Sequence, residues 1–222
     1  MIKLILPDLH ILTQHDSNVS AFVAQQFKKG YGEAFDERVK NLRRDMPEDE
    51  NYCYAIEEAV KREVKSVARQ VLTSAHVMHG LQNTLRFSFA ILKKIDALVY
   101  VIHDGAHRVF HMGVNGPLRG VEEILENDLS YEAKYAIKKE DSTPENQPIH
   151  VIRLPVTSLD RVVVLNDSAQ EHLSEEVLYR FLESKHMVED LAQELELQAN
   201  VMRRDSWLHQ ENEIGVLLLD IA

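Results

Sequence analysis

The sequence is poor in the features that mark secreted, membrane-spanning or nucleic-acid-binding proteins. Cys53 is the only cysteine among 222 residues, so no internal disulfide can form and a reducing compartment is favoured. No apolar run reaches the roughly 18 residues that a membrane-spanning helix needs. Acidic residues outnumber basic ones by 36 to 25, and the net charge is -11, whereas a duplex-binding surface needs clustered Lys and Arg. We therefore expect a cytoplasmic or nuclear protein that binds neither nucleic acid nor a membrane.

Motifs for phosphate binding or nucleophilic catalysis are also missing. Residues 113–117 form a Gly-Val-Asn-Gly-Pro segment with no following lysine, so they do not make a phosphate-binding glycine loop. Cys53 lies on a predicted helix beside inward-facing residues, which is more typical of the core than of a nucleophile. His76 and His79 could share a cation, but no third ligand lies nearby, and ordinary exposed histidines are the simpler interpretation.

His103, Asp104 and His107 form the one local combination of polar residues that invites a chemical interpretation. The pair His103-Asp104 is similar to the His-Asp pair of a helical phosphohydrolase family. That chemistry needs the pair on a helix, whereas here the pair ends a run with the pattern of a β-strand. The sequence alone therefore gives this combination little weight.

The sequence does contain a clear succession of helix and strand patterns. Apolar residues recur at steps of three and four over residues 52–78, which predicts a long amphipathic helix closed by Gly80. Further helices are predicted from residue 19 to residue 46 with a break at Gly30 and Gly32, at 174–184 and 187–202, and more weakly at 121–125 and 131–137. Strands are predicted at 2–6, 10–13, 87–92, 98–103, 108–112, 151–154, 162–165 and 215–221, with residues 93–97 and 138–147 as connections. This order predicts one α+β domain over residues 1–222, an antiparallel sheet structure flanked by helix pairs.

Four blocks in this order resemble motifs of the metal-dependent serine/threonine phosphatases of the 2C type. Residues 12–16, Leu-Thr-Gln-His-Asp, stand where that family has Asp-Gly-His-Gly-Gly, and residues 105–108, Gly-Ala-His-Arg, stand where it has Gly-Asp-Ser-Arg. Residues 166–168, Asn-Asp-Ser, are similar to Ser-Asp-Gly, and residues 212–216, Asn-Glu-Ile-Gly-Val, to the closing Asp-Asn-Ile-Thr-Val. The resemblance runs from about residue 11 to the C-terminus. It implies an antiparallel β-sandwich in α-β-β-α layers, trimmed at the early strands that carry the family's phosphate-binding arginine.

The resemblance also implies that the family's two-metal site is lost. In the family, aspartates hold two divalent cations, and such a pair of ions needs several anionic oxygen ligands. The corresponding positions in this chain are Leu12, Ala106, Asp167 and Asn212. We therefore expect these positions to be a vestige, with no catalytic residue and no bound metal or other cofactor. A small shift of the alignment would bring Asp16, Glu211 or Glu213 to the site instead, and Mn²⁺ or Mg²⁺ with them.

The functional hypothesis comes from a branch of the family that has lost catalysis. Residues 22–26, Phe-Val-Ala-Gln-Gln, resemble a helix of the activator subunit of the transforming-growth-factor-β-activated kinase, a pseudophosphatase whose Gly-x-x-Arg turn has also lost its aspartate. The resemblance implies an inactive adaptor or regulator in kinase and phosphatase signalling, with a protein kinase as its partner. Two alternatives stay open: a divergent active phosphatase that uses Asp16, Asp167 and Glu211 or Glu213, and a structural or assembly domain unrelated to phosphatases.

Overall fold

The computed structural model describes residues 1–14, 19–47, 49–79, 84–104, 107–113, 118–120, 135–138, 149–183, 188–205 and 214–221. The strands in these ranges are β1 (Ile2–Leu6), β2 (Leu9–Gln14), β3 (Thr84–Ile95), β4 (Leu98–His103), β5 (His107–Met112), β6 (Leu118–Gly120), β7 (Tyr135–Lys138), β8 (His150–Pro155), β9 (Arg161–Asn166) and β10 (Val216–Asp220). The helices are α1 (Val19–Gly30), α2 (Glu33–Asp45), α3 (Glu50–His79), α4 (Asp167–Gln170), α5 (Glu175–Glu183) and α6 (Val188–Asp205). Within these ranges, we find no helix with the length and apolar character that crossing a bilayer requires.

The strands form two antiparallel sheets that pack face to face. The larger sheet has the order β1-β2-β3-β4-β8, with β7 paired to the first residues of β3. The smaller sheet has the order β10-β9-β5-β6. Leu12 and Val101 of the larger sheet and Val164 and Leu217 of the smaller one belong to a single buried cluster between them. Because each fully buried apolar side chain contributes about 1.5–3 kcal/mol, this cluster is a main source of the stability of the sandwich.

Helices cover the outer face of each sheet. Helices α1, α2 and α3 pack on the larger sheet, where the rings of Phe27 and Phe89 lie 5.1 Å apart between their centroids. Helices α5 and α6 pack on the smaller sheet, where Leu195 and Val163 share a second buried cluster. The chain therefore has α-β-β-α layers, which confirms the predicted fold class.

The predicted break between the first two helices marks a close helix contact. Helix α1 ends at Gly30, and α2 begins at Glu33. A Cβ atom on Gly30 would lie 2.7 Å from Val67 Cγ2 and 2.8 Å from Glu63 Oε1, both on α3. A side chain at this position would therefore clash with α3 unless the Val67 and Glu63 side chains moved, and glycine avoids this clash.

Two predictions of secondary structure are wrong. Residues 93–97 were expected to connect two strands, but β3 continues to Ile95. Lys93 is buried within it, and its ammonium group pairs with the Asp36 carboxylate of α2 at 2.7 Å, which offsets the cost of burying the charge. The weak helix predicted at 131–137 is wrong where it can be compared, because Tyr135–Lys138 pairs with β3 as a strand. The helix predicted at 121–125 and residues 139–147 of the predicted connection lie outside the described residues.

Candidate functional site

At one end of the sandwich, polar side chains from both sheets come together. The last residues of β2, β4 and β9 meet the first residues of β5 and β10 there, and His107 of β5 pairs with Asn166 of β9 in the strand register. We call this region the strand-end site. It comprises Leu12, His103, Asp104, His107, Asn166 and Gly215.

Asn166 holds the backbone of the strand-end site in place. Its Oδ1 atom accepts the N–H of Ala169 at 3.0 Å and the N–H of Gly215 at 2.9 Å. The Asn166 N–H donates to the Gly215 carbonyl oxygen at 3.0 Å. Asparagine suits the start of a helix because its side-chain oxygen satisfies backbone N–H groups that have no partner within the helix. One buried side chain thus fixes both the start of α4 and the entry into β10.

Leu12 fills the space at the position where the family resemblance implies a metal-binding aspartate. Its side chain is only 1% exposed and belongs to the apolar cluster between the sheets. A Cβ atom on Gly215 would lie 3.1 Å from Leu12 Cδ2, 2.6 Å from Met1 Sδ and 3.2 Å from Asn166 Nδ2. The space beside Gly215 is therefore already filled by Leu12 and Met1. An apolar side chain packed in this way offers no ligand to a hard cation.

His103, Asp104 and His107 bring three ligand-type side chains together where the chain crosses between the sheets. One ligand atom from each residue lies within 4.8 Å of the other two, and all three residues are buried. The Asp104 carboxylate receives contacts through both oxygens. Oδ1 lies 3.0 Å from Nδ1 of His107, and Oδ2 accepts the N–H of Phe89 at 3.3 Å. The predicted place of His103 at a strand end is confirmed.

The remaining predicted site positions lie mostly outside the described part of the chain. The backbone of Asp167 is described and begins α4 directly after Asn166, at the strand-end site. The side chains of Asp167, His76 and His79 lie outside the described side chains. Residues Ala106 and Asn212 and the alternative ligands Asp16, Glu211 and Glu213 lie outside the described residues. The predicted meeting of Leu12, Ala106, Asp167 and Asn212 therefore stays a prediction.

The six residues of the strand-end site do not fit a pair of Mg²⁺ or Mn²⁺ ions. Two such ions need several carboxylate or carbonyl oxygens to replace their water shells. Among these six residues, Asp104 alone carries a carboxylate, and Leu12 is apolar. Two imidazoles and one carboxylate instead match the ligands that a single transition-metal ion prefers.

Comparisons with known proteins identify the fold. No model of a protein family matches the chain, and no curated protein sequence matches it. The Mycobacterium tuberculosis serine/threonine phosphatase PstP/Ppp matches it in structure with a TM-score of 0.61 at 14% identity, over 99% of this chain and 91% of that chain. The PstP catalytic domain has also been described in complex with 2 manganese ions.

Two further solved structures show the same likeness. PppA, described as a key regulatory component of T6SS in Pseudomonas aeruginosa, has a TM-score of 0.61 at 14% identity over 90% of this chain and 84% of that chain. A bacterial serine phosphatase has a TM-score of 0.64 at 12% identity over 98% of this chain and 89% of that chain. The chain therefore has the fold of the 2C-type serine/threonine phosphatases. At these identities the likeness establishes the fold alone, and the function must be argued from the site.

Proposed function

We propose that this chain is a catalytically inactive phosphatase-like domain, a pseudophosphatase that acts as a protein-binding adaptor or regulator in kinase and phosphatase signalling. The observation that carries the proposal is the burial of the apolar Leu12, which stands where the family resemblance implies the first metal-binding aspartate. The proposal assigns no catalytic residue and no cation pair to the strand-end site.

Electrostatics explains why this single position matters. Two divalent cations bring four positive charges together, and they bind only where several anionic oxygens offset that charge and the cost of dehydration. A leucine supplies no such oxygen, and Leu12 is buried in the apolar cluster between the sheets. Asp104 supplies the one carboxylate among the six residues of the strand-end site. Activation of a water molecule by two metal ions therefore has no support among the six residues of the site.

The surface of α6 supports the binding half of the proposal. Leu197 and Val201 lie one helical turn apart and are 64% and 45% exposed, while Leu195 and Ala199 of the same helix are buried against the sheet. Apolar side chains repeated on the solvent side of a helix fit a helix-and-groove contact with another protein. The partner we propose is a protein kinase, on the basis of the resemblance to the kinase activator subunit. PppA provides a precedent for a regulatory protein with this fold.

Hydrolysis of para-nitrophenyl phosphate in the presence of Mn²⁺ or Mg²⁺ tests the first half of the proposal. We expect the rate with this chain to equal the rate with buffer and metal alone, with PstP as the positive control. Metal-dependent turnover that disappears in Asp167→Ala would overturn the proposal in favour of a divergent active phosphatase.

Affinity capture tests the second half. The tagged wild-type chain and a Leu197→Glu, Val201→Glu double variant are compared in lysate of the organism that encodes the chain, and bound proteins are quantified by mass spectrometry. Glu194→Gln is the matched control, because Glu194 is also exposed on α6. We expect a protein kinase to be retained by the wild type and the control and lost by the double variant. If no retained protein depends on Leu197 and Val201, the assignment of this surface is wrong.

A further inference from the structure

We propose that His103, Asp104 and His107 form a binding site for one transition-metal ion that prefers imidazole ligands, represented by Zn²⁺. The inference goes beyond the proposed function because it requires neither hydrolysis nor a pair of cations. Its ligands also differ from the positions that the phosphatase resemblance implies, which are Leu12, Ala106, Asp167 and Asn212.

The two sheets bring the two imidazoles together in an edge-to-face arrangement. His103 lies two residues after Val101, whose side chain points between the sheets, and His107 lies two residues before Val109, which does the same. Because side chains alternate along a strand, both imidazoles point into the space between the sheets, one from β4 and one from β5. The ring centroids lie 6.0 Å apart at an interplanar angle of 70°. Asp104 supplies its carboxylate from the crossing between the strands.

The separation of the ligand atoms is close to what a metal ion requires. Bonds of about 2.0–2.2 Å in a tetrahedral shell place neighbouring ligand atoms roughly 3.4 Å apart. Asp104 Oδ1 and His107 Nδ1 are 3.0 Å apart, and all three ligand atoms lie within 4.8 Å of one another. Ligand-atom movements of about an ångström would therefore bring the three side chains to the separation that one ion requires.

Contacts outside the cluster already orient two of its three side chains. The Phe89 N–H holds Asp104 Oδ2, which leaves Oδ1 directed toward His107. The His103 ring stacks on His150, with centroids 5.1 Å apart and an interplanar angle of 18°. Outer contacts of this kind fix the orientation of metal ligands and raise affinity. The ligands sit at strand ends rather than on long loops, so little order has to be gained on binding.

The ligand set selects the type of ion. Imidazole nitrogen favours Zn²⁺ and the neighbouring first-row transition metals, whereas Mg²⁺ and Ca²⁺ prefer oxygen alone. Three protein ligands leave one position of a tetrahedral shell for water or another donor. Because the ligands come from both sheets, an ion bound here would join the two sheets at the strand-end site. It would therefore bind the folded chain far better than the unfolded chain.

Metal content and thermal unfolding of the whole chain test the proposal with Zn²⁺ alone as the probe. We expect the wild-type chain to retain one equivalent of zinc after it is loaded with Zn²⁺ and passed through gel filtration. Elemental mass spectrometry measures the zinc content. At a free Zn²⁺ concentration near 100 times the Kd, we expect the Tm to rise by about 5 to 10 °C, and Mg²⁺ to leave it unchanged. A wild-type chain that retains no zinc and shows no Zn²⁺-dependent rise in Tm would overturn the proposal.

Variants distinguish this site from adventitious binding by the chain's 11 histidines. Asp104→Asn keeps the shape of the side chain, and His107→Gln removes one imidazole. Loss of a contact that merely orients a metal ligand raises the Kd roughly tenfold to hundredfold. Because each of these variants removes a ligand itself, we expect a larger increase in the Kd for Zn²⁺. His172→Gln, outside the cluster, is the matched control and should bind like the wild type. Circular dichroism tests whether each variant folds. If the wild type and both site variants bind zinc equally, these residues are not the site, whatever number of zinc ions the chain retains.

Discussion

Replacement of Leu12 by aspartate tests whether this position of the strand-end site belongs to the apolar core. The change places a carboxylate where the family resemblance implies a metal ligand. If the position still opens to a cleft, the carboxylate stays hydrated or binds a cation, and the chain tolerates it. If the position is core, the carboxylate is buried without a partner and the chain is strongly destabilised.

The structure gives a magnitude for this change. Leu12 is 1% exposed and lies in the cluster that joins the two sheets. Loss of a buried leucine side chain costs about 2–5 kcal/mol, and we expect the lower half of that range for Leu12→Ala because the flexible Met1 side chain lies close enough to move into the space. An uncompensated buried carboxylate adds several kcal/mol, so Leu12→Asp should lose at least about 5 kcal/mol. That is comparable with the whole stability of a typical domain, about 5–15 kcal/mol.

Urea unfolding of the wild type, Leu12→Ala, Leu12→Asn and Leu12→Asp measures these losses. Burial disfavours the charged form and raises the pKa of the new carboxyl above its value of about 3.9 in the unfolded chain. The folded variant therefore binds more protons than the unfolded one above pH 4, and its stability falls as the pH rises from about 4 toward neutrality. The reasoning is refuted if Leu12→Asp comes within about 1 kcal/mol of Leu12→Ala at neutral pH, or if Mn²⁺ restores its stability.

Three further predictions concern buried polar groups near the ends of the sandwich. Asn166→Ala removes the acceptor of two backbone N–H groups, so we expect it to lower the free energy of unfolding by about 2–4 kcal/mol in urea. Burial lowers the pKa of His10, so the wild-type stability should fall as the pH drops below about 6.5, and His10→Gln should show a smaller fall between pH 7.5 and pH 5. Burial tends to raise the pKa of Asp160, but hydrogen bonds from Thr157 and His111 outweigh it and lower that pKa. The stability that Asp160 contributes should therefore be lost as the pH falls below about 3.8, and Asp160→Asn should unfold with less acid dependence in that range.

Local patterns in the sequence are sufficient to predict most helices and strands of this fold, whereas the two-sheet sandwich is predicted only through the family resemblance. The amphipathic helix predicted at 52–78 is α3, Glu50–His79, and the strand predicted at 98–103 is β4, Leu98–His103. The type of such an element follows from the period at which apolar residues recur along one face. The pattern is the same whichever part of the protein that face packs against. Lys93 shows where local patterns fail. Its charge predicts that it lies in a connection between two strands, whereas it lies within β3. Inside β3 its ammonium group pairs with the Asp36 carboxylate of α2, and a contact between distant segments leaves no local pattern.

The candidate site could be predicted only in part. The sequence shows His103-Asp104 and His107, and it correctly predicts that the pair ends a strand. It does not show that β4 and β5 belong to different sheets, which is what brings the two imidazoles together. A spacing of four residues is typical of ligands on one face of a helix. Here two residues with the same spacing lie on two strands of different sheets, β4 and β5. A search for ligand pairs on helices would therefore not find them.

The two proposals for the strand-end site are chemically independent, and the variants can separate them. Leu12 lies on β2 beside Gly215, whereas the proposed metal ligands come from β4, β5 and the crossing between them. Leu12→Ala should therefore lower stability while leaving zinc binding intact, and Asp104→Asn should abolish zinc binding without creating hydrolysis. Mn²⁺-dependent hydrolysis lost in both Asp167→Ala and His107→Gln would instead mean that one mixed set of carboxylates and imidazoles holds catalytic ions. That single result would defeat both proposals, because the chain would then be an active phosphatase and the histidine cluster would serve catalytic ions and not a single zinc ion.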